Sequence, residues 1–209
     1  MNAQGVDTAD SHVVDEPADP KRRRTLIAAT SAIGAVGVGF MAVPFIASMN
    51  PSAKARAAGA PVQADVSKLE PGALLRVKFR GQPIWIVHRT EEMLAALPKN
   101  DPKLVDPNST VPQQPEYCAN PTRSIAPKYF VAIGICTHLG CSPTYRPEFA
   151  PDDLGPSWNG GWHCPCHGSK FDLAGRVFKG VPAPTNLVIP KHSYINDTTI
   201  LVGEDKGAA

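Results

Sequence analysis

Gly134-Ile135-Cys136-Thr137-His138-Leu139-Gly140-Cys141, answered by Trp162-His163-Cys164-Pro165-Cys166-His167-Gly168-Ser169, is the pair of stretches on which the reading of this chain turns. Each half offers two thiols and an imidazole close behind the first of them, and the second half holds His163 as well. Two sulfur and two nitrogen ligands suit zinc, and they equally suit a two-iron cluster with two histidines on one iron and two cysteines on the other. Cys136 and His138 lie two positions apart, and Cys164 and His167 three apart, so each half can fold as a tight loop giving one sulfur and one nitrogen. One thiol of each half is then spare. Outside a reducing compartment, two spare thiols on facing loops most simply form a disulfide that clamps the halves together.

The paired boxes resemble those of Rieske iron-sulfur proteins. Two flanking segments, Trp85-Ile86-Val87-His88-Arg89-Thr90 and Pro115-Glu116-Tyr117-Cys118, resemble parts of the quinol-oxidising subunit of cytochrome bc1 complexes. The match runs from the basic cluster at Lys21 to about Val202. The resemblance implies one [2Fe-2S] cluster, with Cys136 and Cys164 on one iron, His138 and His167 on the other, and Cys141 paired with Cys166. It implies cytochrome b and cytochrome c1 partners in a dimeric complex that takes electrons from a membrane quinol to a c-type cytochrome and releases protons outside. On the same grounds His167 contacts the quinol hydroxyl and accepts its proton, His138 faces the electron acceptor, and Leu139 lines the docking surface. A zinc knuckle on the same residues is the alternative. The spare cysteines, the Gly168-Ser169 that follows the last ligand and a membrane segment speak against it.

With 209 residues, 43% hydrophobic, and a formal net charge of +2, the chain has room for one core domain and an appendage. Nothing points to nucleic acid. Residues 1–20 hold Asp7, Asp10, Asp15, Glu16 and Asp19 without Lys or Arg, the composition of a disordered tail. Over 21–49 the Lys21-Arg22-Arg23-Arg24 cluster leads into Leu26 to Met49, which has no charged side chain. As a helix that run reaches about 36 Å against roughly 30 Å of hydrocarbon, longer than the apolar core of a secretory signal. Basic residues before the span place the N-terminus in the cytoplasm and the C-terminal domain in the periplasm, in a bacterial inner membrane. Arg23-Arg24-Thr25-Leu26-Ile27 resembles a twin-arginine export signal, a route for proteins already folded, although it lacks the preferred Phe and following Lys. Gly34, Gly37 and Gly39 thin one side of the helix, and Pro44 offers a kink.

Residues 50–61 are small and Ala-rich with no apolar face, and read as a flexible hinge. About a dozen extended residues reach roughly 40 Å, and a helical conformation would halve that. From 62 to 209 short β-rich runs dominate: Leu74 to Phe79, a turn at Arg80-Gly81-Gln82-Pro83, and Ile84 to His88 form a hairpin. Thr90 caps one helix, with Glu91 and Glu92 at its start and Met93, Leu94 and Leu97 on its apolar side. Pro98 to Pro127 reads as a long loop, and Phe130 to Ile135 as the strand that delivers the first box. Asn159-Gly160-Gly161 reads as a turn between the boxes, with later strands near Arg176 to Phe178, Leu187 to Ile189 and Thr199 to Val202. The expected fold is mainly β: a Rieske-type antiparallel β-sandwich head with cluster-binding loops at its tip, on a single N-terminal transmembrane helix.

Two imidazoles in place of two thiolates make such a cluster less negative and raise its potential. One ring nitrogen binds iron, leaving the other free to exchange a proton. Ser169 can donate a hydrogen bond to a cluster sulfur and raise the potential further. Phe171 stands where quinol-oxidising relatives often carry Tyr, which removes a donor. Gly180-Val181-Pro182-Ala183-Pro184 resembles the family's loop that shields the cluster from water, with Val181 interposed. His88, His163 and His192 read as structural or surface residues, and Cys118 has no assigned role. A Rieske subunit of another periplasmic oxidoreductase, such as arsenite oxidase, is the alternative function. A soluble oxygenase ferredoxin is a third, opposed by the span and the spare cysteines.

Overall fold

A computed structural model describes residues 19–205, so the tail reading for 1–20 lies outside the described residues except at Asp19 and Pro20. The chain divides between Ser52 and Ala53 into two compact units. In the first, helix α1 runs Pro20–Ser48 with Pro at its first position, and the Asp19 carboxylate accepts from the Lys21 N–H at 2.9 Å. No residue of α1 is buried, and Ile33, Phe40 and Phe45 are all more than two-thirds exposed. An apolar surface on every side suits lipid rather than water. Where the sequence suggests a hinge, a six-residue helix, α2 (Ala53–Ala58), has formed.

The second unit holds three antiparallel sheets of three strands. Strands β2 (Leu74–Phe79), β3 (Gln82–His88) and β4 (Tyr129–Ile133) form the middle one in that order. Because side chains alternate along a strand, β3 and β4 feed two cores. Trp85, Val87, Phe130 and Ala132 pack with Cys136, Cys164, Trp162 and Phe171. Ile84, Ile86, Tyr129 and Val131 pack with Ala64, Val66, Ile200 and Val202. The first core lies towards the sheet of β5 (Thr144–Phe149), β6 (Asn159–His163) and β7 (Lys170–Asp172). The second lies towards β1 (Val62–Asp65), β9 (Thr199–Val202) and β8 (His192–Asn196), where the last strand returns to pair with the first.

Several boundaries differ from the sequence reading. The β2–β3 turn has only two residues, Arg80 and Gly81, both at positive φ (48° and 79°), so Gln82 and Pro83 already pair with Phe79 and Lys78. That turn matches the twist of the strands it joins. Helix α3 (Glu91–Asn100) is capped by Thr90 as expected but runs past Pro98, and the following loop contains one-turn helices at Asp101–Lys103 and Glu116–Cys118. Asn159-Gly160-Gly161 begins β6 rather than making a turn. A side chain on Gly161 would place its Cβ 2.0 Å from the Phe171 carbonyl oxygen, so glycine there permits the close approach of β7. The runs at Arg176–Phe178 and Leu187–Ile189 are not strands. Only isolated bridges (Phe171 with Val177, Leu104 with Phe178) involve the first, and the second bonds to loop residues such as Gln113 and Gly175.

Buried His192 supplies a stability prediction. Its Nδ1 lies 2.8 Å from the Pro190 carbonyl, and Tyr117 Oη bonds its backbone on both sides. Burial pulls its pKa below the ordinary value. The unfolded chain therefore binds this proton more readily, so the stability is full above about pH 6.5 and is lost as pH falls below it. Thermal unfolding of the full chain in detergent should show that loss, about 1.4 kcal/mol for each unit of depression, and His192→Gln should flatten it.

Candidate metal centre

The two boxes close in the same way. In the first, the Cys136 N–H donates to the Cys141 carbonyl (2.7 Å) and the Gly140 N–H returns to the Cys136 carbonyl (3.1 Å). In the second, the Cys164 N–H donates to the Ser169 carbonyl (2.7 Å) and the Gly168 N–H returns to the Cys164 carbonyl (2.9 Å). Gly140 and Gly168 both take the left-handed conformation, at φ 83° and 77°, which lets each loop turn back on itself. With the loops superimposed by these bonds, Cys141 corresponds to Ser169, and Cys166 corresponds to His138.

The structure brings the expected residues together. Cys136 and Cys164 are buried side by side, and the His138 and His167 rings meet edge to face with centroids 4.8 Å apart. His138 is half-buried and His167 exposed. Cys141 and Cys166 form a disulfide with Cα atoms 6.7 Å apart, and their sulfurs lie within 4.8 Å of the Cys164 sulfur. Burial pushes the Cys136 thiol up, the His138 N–H draws it down, and the neighbouring Cys164 thiol raises it again. The Ser169 hydroxyl also hydrogen-bonds that thiol and lowers it, while accepting the Ala183 N–H at 3.1 Å. Phe171 is fully buried in the core that holds both thiols. Leu139, next to His138, is 72% exposed.

The Gly180–Pro184 segment is tied to both boxes, through Ser169 as above and through Thr137, whose hydroxyl donates to the Thr185 carbonyl at 2.7 Å. The sequence reading did not single out Thr137, because its partner lies 48 positions away. It also passed over three buried arginines, Arg89, Arg123 and Arg176, which no local pattern marks. His88 bonds the Leu69 carbonyl through Nδ1 at 2.7 Å, and His163 is half-buried, its pKa lowered chiefly by burial. Cys118 is fully buried, its thiol pushed up by burial to about 11.

Comparison with known proteins decides the family. The family described as "Rieske [2Fe-2S] domain" matches residues 111–193, and that described as "Ubiquitinol-cytochrome C reductase Fe-S subunit TAT signal" matches residues 15–52. The ubiquinol-cytochrome c reductase iron-sulfur subunit of Allochromatium vinosum is 73% identical over 209 residues, covering 100% of this chain and 95% of the relative. The chain belongs to the family of ubiquinol-cytochrome c reductase iron-sulfur subunits. Other members include the subunits of Blastochloris viridis, 40% identical over 90% of this chain and 96% of the relative, and of Cereibacter sphaeroides, 43% identical over 87% and 95%. As a Rieske iron-sulfur subunit with, among the described residues, one helix long and apolar enough to cross a membrane, it is a membrane-anchored component of an oxidoreductase, with a Rieske-type [2Fe-2S] cluster as its cofactor.

The residues present fit that cluster. A Rieske centre needs two thiolates on one iron and two imidazoles on the other. Here two adjacent thiols lie inside the core and two adjacent imidazoles lie at its edge.

Proposed function

We propose that this chain carries single electrons from a membrane quinol to a c-type cytochrome, as the iron-sulfur subunit working with cytochrome b and cytochrome c1. The observation that carries this reading is a pair of buried, neighbouring thiols and a pair of more exposed imidazoles in contact with each other, one of each on two equivalent loops. Cys136 and Cys164 would hold the inner iron, and His138 and His167 the outer one. Bound there, a cluster of this type supplies one-electron redox chemistry at a potential raised by its two neutral ligands.

His167, the more exposed of the two imidazoles, would meet the quinol hydroxyl and take its proton on its free ring nitrogen, to be released on the outer side. His138 serves the acceptor side. The disulfide holds the loops in register, and Gly180–Pro184 limits water at the thiols. The chain crosses the inner membrane once with its N-terminus in the cytoplasm, and residues 50–61 act as the hinge that lets the 62–209 domain reach donor and acceptor in turn. Purification of the complex through this chain tests the assignment: b- and c-type haem should co-purify, and a molybdenum cofactor in their place would overturn it.

Ser169 and Phe171 set the finer energetics. Phe171→Tyr should add a hydroxyl donor near the thiolates and raise the midpoint potential, whereas Ser169→Ala should lower it. A hydrogen bond to a charged group is worth roughly 1.5 to 3 kcal/mol, but only its difference between redox states counts, so shifts of tens of millivolts are expected. Redox titration of the complex checks both. An unchanged potential in Phe171→Tyr alongside a lowered one in Ser169→Ala would show that the ring only packs.

A further inference from the structure

Two buried guanidiniums behind the second loop lack a carboxylate partner among the described residues. Arg89, 2% exposed, donates Nε to the Pro127 carbonyl (2.8 Å), Nη1 to the carbonyls of Thr122 (2.8 Å) and Leu173 (3.3 Å), and Nη2 to Ser124 Oγ (2.7 Å). Arg123, 0% exposed, donates Nη1 to the carbonyls of Ala174 (3.1 Å) and Gly175 (3.3 Å), and Nη2 to Gln114 Oε1 (2.9 Å) and the Leu187 carbonyl (2.8 Å). The buried carboxylate nearby, Asp172, is engaged by Arg176 at 2.7 Å and by the N–H groups of Ala174 and Arg176. It acts on Arg89 and Arg123, as the buried Asp106 does on Arg123, only through space, against the opposing charge of Arg176. Arg176 also takes the half-exposed Asp101 at 2.8 Å.

Carbonyl dipoles solvate a guanidinium without cancelling its charge. Burying a cation this way is costly, and an apolar side chain of similar volume would avoid the penalty. Burial pulls both groups down to about 10, which leaves them charged at neutral pH. They border the core that contains the thiols: Arg89 lies over the Phe130 ring, 5.4 Å from its centroid, and Arg123 holds Leu187, while Phe130 and Leu187 share that core with Cys136, Cys164 and Phe171. Both arginines also clamp the Leu173–Gly175 turn that continues β7 from Ser169. In a water-free core, charge is weakly screened.

We infer that Arg89 and Arg123 are potential-setting residues, buried cations that favour the reduced form of the centre held by Cys136, His138, Cys164 and His167. The inference rests on the reading of those four residues as its ligands. In the step concerned the quinol gives up one electron and one proton, and an imidazole takes the proton; the electron alone makes the centre one unit more negative, and a titration at a pH where the imidazoles keep their protonation state isolates that change. No bond to either arginine forms or breaks. Their field offsets the added charge.

The test is an EPR-monitored redox titration of the purified complex containing the full chain. Arg89→Gln and Arg123→Gln remove a cation. Each should lower the reduced-to-oxidised ratio at fixed ambient potential roughly tenfold, equivalent to about 59 mV for a one-electron couple. Arg89→Lys and Arg123→Lys keep the cation but lose the fork of donors, and should stay within about twofold of the parent. Equal shifts in the Lys and Gln variants, or folded Gln variants with an unchanged ratio, would overturn the inference and leave the arginines a packing role. Should the Gln variants not fold, the Lys variants decide alone, because a folded Lys variant shifted tenfold would overturn the inference. The ligand reading fails separately, by survival of the EPR signal in His167→Ala.

Discussion

Replacing His138 or His167 with alanine is expected to abolish the EPR signal of the [2Fe-2S] cluster while leaving the fold intact. Both rings sit at the surface of the tip, half-buried and exposed respectively, and neither belongs to a core. Their removal therefore opens no cavity of the kind that costs a buried side chain several kcal/mol. The outer iron would lose half its protein ligands, whereas the Cys141–Cys166 bridge and the loop bonds from Cys136 and Cys164 would have no reason to change. Far-UV circular dichroism should stay at the parental level as the signal vanishes. An unaltered signal in either variant would refute the ligand set.

Cys141→Ser or Cys166→Ser should produce a protein whose cluster assembles poorly and decays quickly in air. The bridge joins residues 25 positions apart. A cross-link of that span restricts the unfolded chain by about 3.5 kcal/mol on the loop-entropy account. If only about 1.4 kcal/mol of it holds the two loops together, their opening becomes about tenfold more frequent without it. The half-life of the cluster's visible absorption under air should shorten by a similar factor. Mass spectrometry that found both thiols free in the purified parent would sink the clamp role.

The two loops were readable in the sequence because the bonds that close each of them are local. Each box closes within six residues through its own backbone, and the left-handed glycines stand in the motif itself. Helix α1 was readable for a similar reason, since an unbroken apolar run needs no partner to declare itself. The supports behind the centre were hidden by distance. Arg89 reaches Leu173 across 84 positions, and Arg123 reaches Leu187 across 64. Strand β5 was hidden because Pro147 lies within it. Gly160 and Gly161 carried an ambiguous signal, since glycine marks both a turn and a strand pressed against another backbone. Leu187–Ile189 is as apolar as a strand and fully or partly buried, yet its amides are taken by loops. Hydrophobicity reported its depth and not its partners.

The return of β9 to β1 bears on the mechanics of a tethered head. The linker enters the domain at Val62, and from there four residues are matched in antiparallel register, Val62 with Val202 through to Asp65 with Thr199. A pull on the linker loads β1 first, and β1 is held by the whole of that ladder. The force is then handed to β8 on the far side of β9, on the sheet across β2–β4 from the thiols, so a pull at Val62 is borne away from the loops that carry them. Deleting the residues from Thr199 onward would strip β1 of its partner, and the tether would pull on an unbraced strand.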